Sequence, residues 1–155
     1  MALRKGIKQL LTEAGHKAPA ISVQDAQQRV GEANTVFVDI RDVRELEREG
    51  MIPGAFHAPR GMLEFWVDPE SPYYKPVFTE DKTFILYCQS DWRGVLAAAT
   101  LKEMGLPNVF HLAGGYTEWR KSGGPTAARP KKSETSGTDP IENTRGAGAD
   151  RGSKA

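Results

Sequence analysis

The chain has 155 residues and a formal net charge of +1. That length suits one domain with some excess, and the balanced charge speaks against nucleic-acid binding. No apolar run approaches the roughly 20 residues of a membrane span, and no hydrophobic block with a small-residue cleavage site stands near the start, so a soluble protein without membrane contact is expected. A single cysteine, Cys88, excludes an internal disulfide and fits a reducing, cytoplasmic setting.

The first stretch, MALRKGIKQLLTEAGHKA, sets Leu3, Ile7, Leu10, Leu11 and Ala14 at helical spacing with Lys and Arg on the other side. Glu13 and the scarcity of Ser argue against a targeting peptide, so residues 1–21 are expected to be an amphipathic extension lying on the domain or loosely attached to it. Ser22 and Asp25 resemble a capping box opening a short helix that stops at Gly31. VFVDI at 36–40 has the character of a strand, and Asp42 with Glu45 offers a second capping box for a charged helix ending at Gly50. IPGA at 52–55 suits a type II turn leading into a short extended piece at 56–58.

TFILY at 83–87 is a continuous apolar strand, the kind buried on both faces. A helix is predicted over 94–104, capped by Gly105 and barred by Pro107, then a strand over 109–112 and a last helix over 116–121. Beyond that, residues 122–155 contain one large aliphatic residue, Ile141, and cannot bury enough apolar surface to offset ordering. They are expected to form a disordered tail, whose six basic and four acidic residues give it +2. Strands separated by helices imply right-handed crossovers, a mostly parallel sheet and helices on both faces, which is an α/β domain over 22–121.

Ligands of such sheets gather at the carboxyl ends of the strands, where Asp39, Cys88 and the Gly114-Gly115 pair all fall. Cys88 is followed by Gln89, Ser90, Asp91, Trp92 and Arg93, a compact polar turn running into a helix. Several backbone N–H groups of this turn are expected to point inward, and such concave amides at a helix N-terminus favour anions. A thiolate, or a sulfur anion carried on it, is one. Helix N-termini and nearby cations lower thiol pKa values from about 8.5 to roughly 3.5–7.5, so a nucleophile is expected here. The idea requires a thiol reachable from solvent and faced by N–H groups rather than carbonyl oxygens. His16, His57, His111 and Cys88 lack metal-site spacing, and the two later histidines are expected to be hydrogen-bonded core residues, so neither metal nor cofactor is expected.

Taken in order, VFVDIRD, MIPGAFHAP, YCQSDWRG and VFHLAGGYTEW resemble the rhodanese-like (sulfurtransferase) domain family over about residues 22–121. The resemblance implies a three-layer domain with about five mostly parallel strands, one more than the residues alone revealed. It implies that Cys88 is the nucleophile and carries a persulfide, that residues 89–93 complete its loop, with the amides through Gly94 stabilising the charge, and that Asp39 and Arg41 help organise the rim. Its expected partners are a sulfur donor, thiosulfate or a persulfide, and a small-molecule or protein thiol acceptor. The rival cysteine phosphatases separate Cys and Arg by five residues; four intervene here, a tighter cup suited to one sulfur atom.

Three residues depart from the family pattern. Asp91 stands where many members carry Gly, and a carboxylate facing the cup would oppose a thiolate by about 4 kcal/mol at 4 Å and an effective dielectric of 20. The alternative expectation is that Asp91 keeps a left-handed turn while its carboxylate faces water. Gly94 replaces a frequent Ser or Thr, and Met51 a frequent His. Should these changes have eroded the chemistry, the chain would be an interaction module that kept only the fold. Arg93 either pairs with a carboxylate, Asp39 being a candidate, or touches substrate. The aromatic segment 59–78 is expected to fold on its own side chains, with a lid over the rim as the alternative.

Overall fold

In the computed structural model, residues 1–130 are described. Five parallel strands form one sheet: β1 (Ala20–Ile21), β2 (Thr35–Asp39), β3 (Phe56–His57), β4 (Thr83–Tyr87) and β5 (Val109–Leu112), in the order β1-β5-β4-β2-β3. Six α-helices alternate with them: α1 (Ile7–Lys17), α2 (Val23–Gln27), α3 (Val43–Glu49), α4 (Leu63–Val67), α5 (Trp92–Met104) and α6 (Gly115–Lys121). The α/β class and the parallel sheet hold. The strand that escaped sequence analysis is β1, two residues long and too short to show periodicity.

Alternation along the central strands divides the core in two. Val38, Phe84, Leu86 and Cys88 face one side with Ala97, Ala98 and Leu101 of α5 and with Leu63, Trp66 and Val67 of α4. Phe37, Ile85 and Tyr87 face the other with Val23 and Ala26 of α2 and Tyr116 and Trp119 of α6. Because the β2–β4 register pairs Val38 with Leu86 and Asp39 with Tyr87, the ends of both strands reach the same rim together. Cys88 and Asp39 therefore share an edge but face opposite layers.

Local signals placed most boundaries. Ser22 Oγ accepts from the Asp25 amide, and Asp42 with Glu45 forms a complete capping box. Helix α5 begins at Trp92, two residues before the expected start, because the left-handed Asp91 turns the chain directly into it. Helix α1 packs on α5, burying Ala14 and Ala18, with Lys17 bonded to Glu103. Segment 59–78, expected to fold on its own side chains, instead sets its buried rings on the strands: Trp66 and Phe78 lie edge-on to Phe56 of β3, and Phe78 also meets Phe84 of β4. Within the segment, Lys75 N donates to Trp66 O and the Tyr74 hydroxyl to Phe78 O. Among the described residues no helix is long and apolar enough to cross a membrane.

The first residues expected in the tail are held against the domain. Met51 and Ala127 exchange two backbone hydrogen bonds of 2.8 Å, and Trp119 Nε1 donates to Pro125 O at 2.7 Å. The tail from 131 onward lies outside the described residues. A chain ended at Gly124 should lose about 1–3 kcal/mol of stability relative to one ended at Pro130, because three hydrogen bonds go and Trp119 is uncovered; denaturant midpoints of the two measure it.

Candidate active site

Strand β4 ends at Tyr87, and the chain turns through residues 88–91 into α5. Cys88 sits at the start of this turn with its side chain packed among the α5-side core. The Asp91 amide donates to its Sγ at 3.1 Å. Asp91 has φ 87°, the left-handed conformation, and is the only non-glycine residue among those described with positive φ. That angle turns its N–H back onto the sulfur.

The outer wall of the turn is fixed by α6. Tyr116 N donates to Cys88 O at 2.8 Å, and Thr117 N to Gln89 O at 3.0 Å. The carbonyl oxygens of the first two loop residues are thus engaged from outside, leaving the Asp91 N–H for the sulfur. This close approach requires Gly115: at φ 64°, a Cβ there would lie 2.6 Å from Gln89 O and 2.7 Å from Cys88 O.

Arg41 anchors the same wall. Its guanidinium, fully buried, donates from Nε and Nη2 to the two Asp39 oxygens at 3.0 and 2.7 Å, from Nη2 to Gly50 O at 2.7 Å, and from Nη1 to Gln89 Oε1 at 3.0 Å. It stacks over Tyr116 with 4.3 Å to the ring centroid. The Gln89 side chain therefore points away from the cup, its Nε2 donating to Glu49 Oε1 and Thr117 Oγ1. Asp39 and Arg41 act on the loop through Gln89. Tyr87, packed in the same buried group, accepts from Ile52 N through its hydroxyl, and burial followed by the Asp39 charge pushes that phenol far above its usual range.

Arg93 pairs with a carboxylate, but the partner is Glu45 rather than Asp39, which Arg41 already occupies. Its two terminal nitrogens donate to the two Glu45 oxygens at 3.0 and 3.1 Å, a bidentate pair between α5 and α3. Glu45 thereby closes its helix cap and holds Arg93 at once. The Glu45 hydrogen bond raises the Arg93 guanidinium above its ordinary value, burial opposes this, and the neighbouring Cys88 sulfur adds to the rise. Trp92 is 63% exposed, and Ser90 is exposed beside it. An open groove of about 400 Å³, lined by Gln89, Thr117, Glu49, Arg120 and Lys121, runs along the loop's outer side.

Four expectations need correction. The Asp91 carboxylate faces neither water nor an open cup: it is 13% exposed and accepts from His111 Nδ1 at 2.8 Å. His111 is hydrogen-bonded as expected, yet its partner belongs to the cysteine loop rather than to the core. Among the described hydrogen bonds a single amide, Asp91's, reaches the sulfur rather than several. Cys88 is 1% exposed, so the thiol is faced by an N–H but closed to bulk solvent in this conformation. Glu45, Glu49, Thr117, Tyr116 and His111 were not legible as site residues, because each reaches the loop from another element. Only Glu45 carried a local signal, and that signal was for a helix cap.

The fold and this turn define a class: a parallel α/β domain with a cysteine between a central strand and the helix it feeds. The rhodanese-like domain family model matches residues 22–122. The chain belongs to the rhodanese-like domain family. It is 27% identical over 108 residues to a human thiosulfate:glutathione sulfurtransferase, covering 66% of this chain and 93% of that one. It is 30% identical over 109 residues to a sulfurtransferase of Allochromatium vinosum, covering 70% and 94%. Among solved structures, RPA3614 of Rhodopseudomonas palustris, described as a protein of unknown function and possible tyrosine phosphatase, is 48% identical with a TM-score of 0.79, over 82% of this chain and 98% of that one.

Two outcomes test this geometry. Arg41→Met leaves Asp39 buried without its partner and should cost about 3–5 kcal/mol in chemical denaturation. The hydrogen bond from Arg93 holds Glu45 below the ordinary carboxylate range. A depressed carboxyl stabilises the fold above its unfolded pKa and loses that contribution as pH falls through the lower folded value. Glu45→Gln should therefore be less stable than the parent at neutral pH, with the difference closing on acidification through that window; denaturation midpoints across pH measure it.

Proposed function

We propose that this protein is a sulfurtransferase whose Cys88 carries the transferred sulfur as a persulfide. The observation that carries the reading is the Asp91 amide on Cys88 Sγ at the mouth of α5, in a chain of this family. The Cys88 thiolate attacks the outer sulfur of a donor such as thiosulfate. A new S–S bond forms at Cys88 while the donor's own bond breaks, and sulfite leaves with the electron pair. An acceptor thiolate then attacks the outer sulfur of the persulfide and restores the Cys88 thiolate.

The Asp91 N–H supplies a fixed dipole for the anionic sulfur, and Arg93 supplies a nearby positive charge. Because Cys88 is 1% exposed, reaction requires the exposed edge at Ser90 and Trp92 to yield to the donor. The same burial favours the competing reading, an interaction module without catalysis. The phosphatase description of the Rhodopseudomonas palustris relative gives a third. Four residues between Cys88 and Arg93, with Arg93 engaged by Glu45 rather than turned into a phosphate cradle, weigh against it.

Intact-protein mass spectrometry after exposure to thiosulfate and to other sulfane donors decides among these. The parent should gain one sulfur, discharged by cyanide or by a thiol, and Cys88→Ser should gain none. No gain with any donor would leave the interaction module, and Cys88-dependent hydrolysis of p-nitrophenyl phosphate without sulfur gain would leave the phosphatase.

A further inference from the structure

Asp91 divides its two polar ends between two tasks. Its amide donates to Cys88 Sγ at 3.1 Å, while its carboxylate oxygens lie 2.8 and 3.1 Å from His111 Nδ1 on β5. The backbone angle that permits both is φ 87°, a conformation that strains a residue with a Cβ, even an Asp, and that a moored side chain therefore helps to hold. Rotation of φ to an ordinary negative value swings the Ser90–Asp91 peptide and takes its N–H off the sulfur. What opposes that rotation is the side chain, moored through the carboxylate to a strand of the sheet.

Gly94 belongs to the same arrangement. A Cβ at Gly94 would stand 2.8 Å from Asp91 Oδ1 and 3.8 Å from His111 Cβ. The carboxylate thus fills the space that a Ser or Thr at position 94 would need. Two departures from the family pattern, Asp91 and Gly94, are therefore one packing solution, and His111 completes it. Burial pushes the Asp91 carboxyl above its usual range, and the His111 hydrogen bond opposes this. The other charged groups at the loop, Arg93 and Arg41, are already committed to Glu45 and Asp39.

We propose that His111 is a positioning residue for the Cys88 loop, holding Asp91 in the left-handed conformation that aims its amide at the sulfur. The inference deepens the sulfurtransferase reading and rests on it for its biological meaning, but its test does not require sulfur transfer.

The test is the rate of Cys88 alkylation by iodoacetamide in the full chain, at neutral and at alkaline pH, for the parent, His111→Phe, His111→Gln, Asp91→Gly and the double variant Asp91→Gly with His111→Phe. His111→Phe should react about tenfold more slowly at neutral pH, where the thiolate needs its amide, and should converge with the parent at alkaline pH, where any thiol ionises. His111→Gln, whose amide N–H can serve the carboxylate, should recover most of the rate. In the Asp91→Gly background, where glycine takes positive φ without a mooring, His111→Phe should change nothing further.

Equal rates for His111→Phe and the parent, slowing by the same factor at both pH values, or an undiminished effect in the Asp91→Gly background would overturn the proposal. Should His111→Phe not fold, Asp91→Ala reads the same mooring from the loop side: about tenfold slower at neutral pH and unchanged at alkaline pH supports it, and a rate equal to the parent's overturns it. A parent that shows this alkylation pattern yet takes up no sulfur removes the sulfurtransferase reading alone. A parent that takes up sulfur while His111→Phe matches it in every rate removes the positioning role alone.

Discussion

The buried guanidinium of Arg41 is the constraint around which the rim is organised. A charge without solvent contact survives only if its donors are matched, and here Asp39, Gly50 O and Gln89 Oε1 match them while Tyr116 covers one face. Each partner comes from a different piece of chain: the end of β2, the end of α3, and the cysteine loop. The ion pair therefore does more than neutralise itself, because satisfying it brings three segments to one point. Its dependence on Gln89 explains why the second residue of the loop turns its side chain outward.

Around that anchor the loop is held from opposite sides by unlike means. On the α6 side, backbone amides of Tyr116 and Thr117 engage the carbonyls of Cys88 and Gln89, with Gly115 allowing the approach. On the α5 side, the hold is a side chain, Asp91 on His111, under a glycine that leaves it room. A peptide carbonyl and a sulfur compete for the same kind of donor, so fixing the carbonyls outward is what leaves an N–H to face inward. The bidentate Arg93–Glu45 pair then ties the start of α5 to α3 and sets a positive charge beside the sulfur without spending it on Asp39.

The closed state of Cys88 is the cost of this tightness. A loop of this length, pinned at both walls and packed into a core, covers its sulfur to 1% exposure. Exposed Ser90 and Trp92 mark the one edge of the turn that, among the described residues, no other element grips. Rigid walls and one free edge are compatible, and they confine any opening to the side away from Arg41 and His111.

The sequence by itself determined what depends on near neighbours: the strand at 83–87 from its apolar run, the capping box of α3 from Asp42 and Glu45, the end of α5 from Gly105 and Pro107, and the placing of Cys88 where a central strand meets a helix. Its family likeness supplied the fifth strand, since β1 has two residues and no period of its own. Only the tertiary structure decided which carboxylate each arginine takes, which way Asp91 turns, and that His111 belongs to the loop rather than to the core. Those choices depend on the strand order, which sets β5 beside β4 and brings α3 and α6 to the same rim, joining Arg93 to Glu45 across forty-eight residues and Tyr116 to Glu49 across sixty-seven. Pairing across such distances is fixed by which groups remain unsatisfied once the layers close, and no local pattern of residues records that.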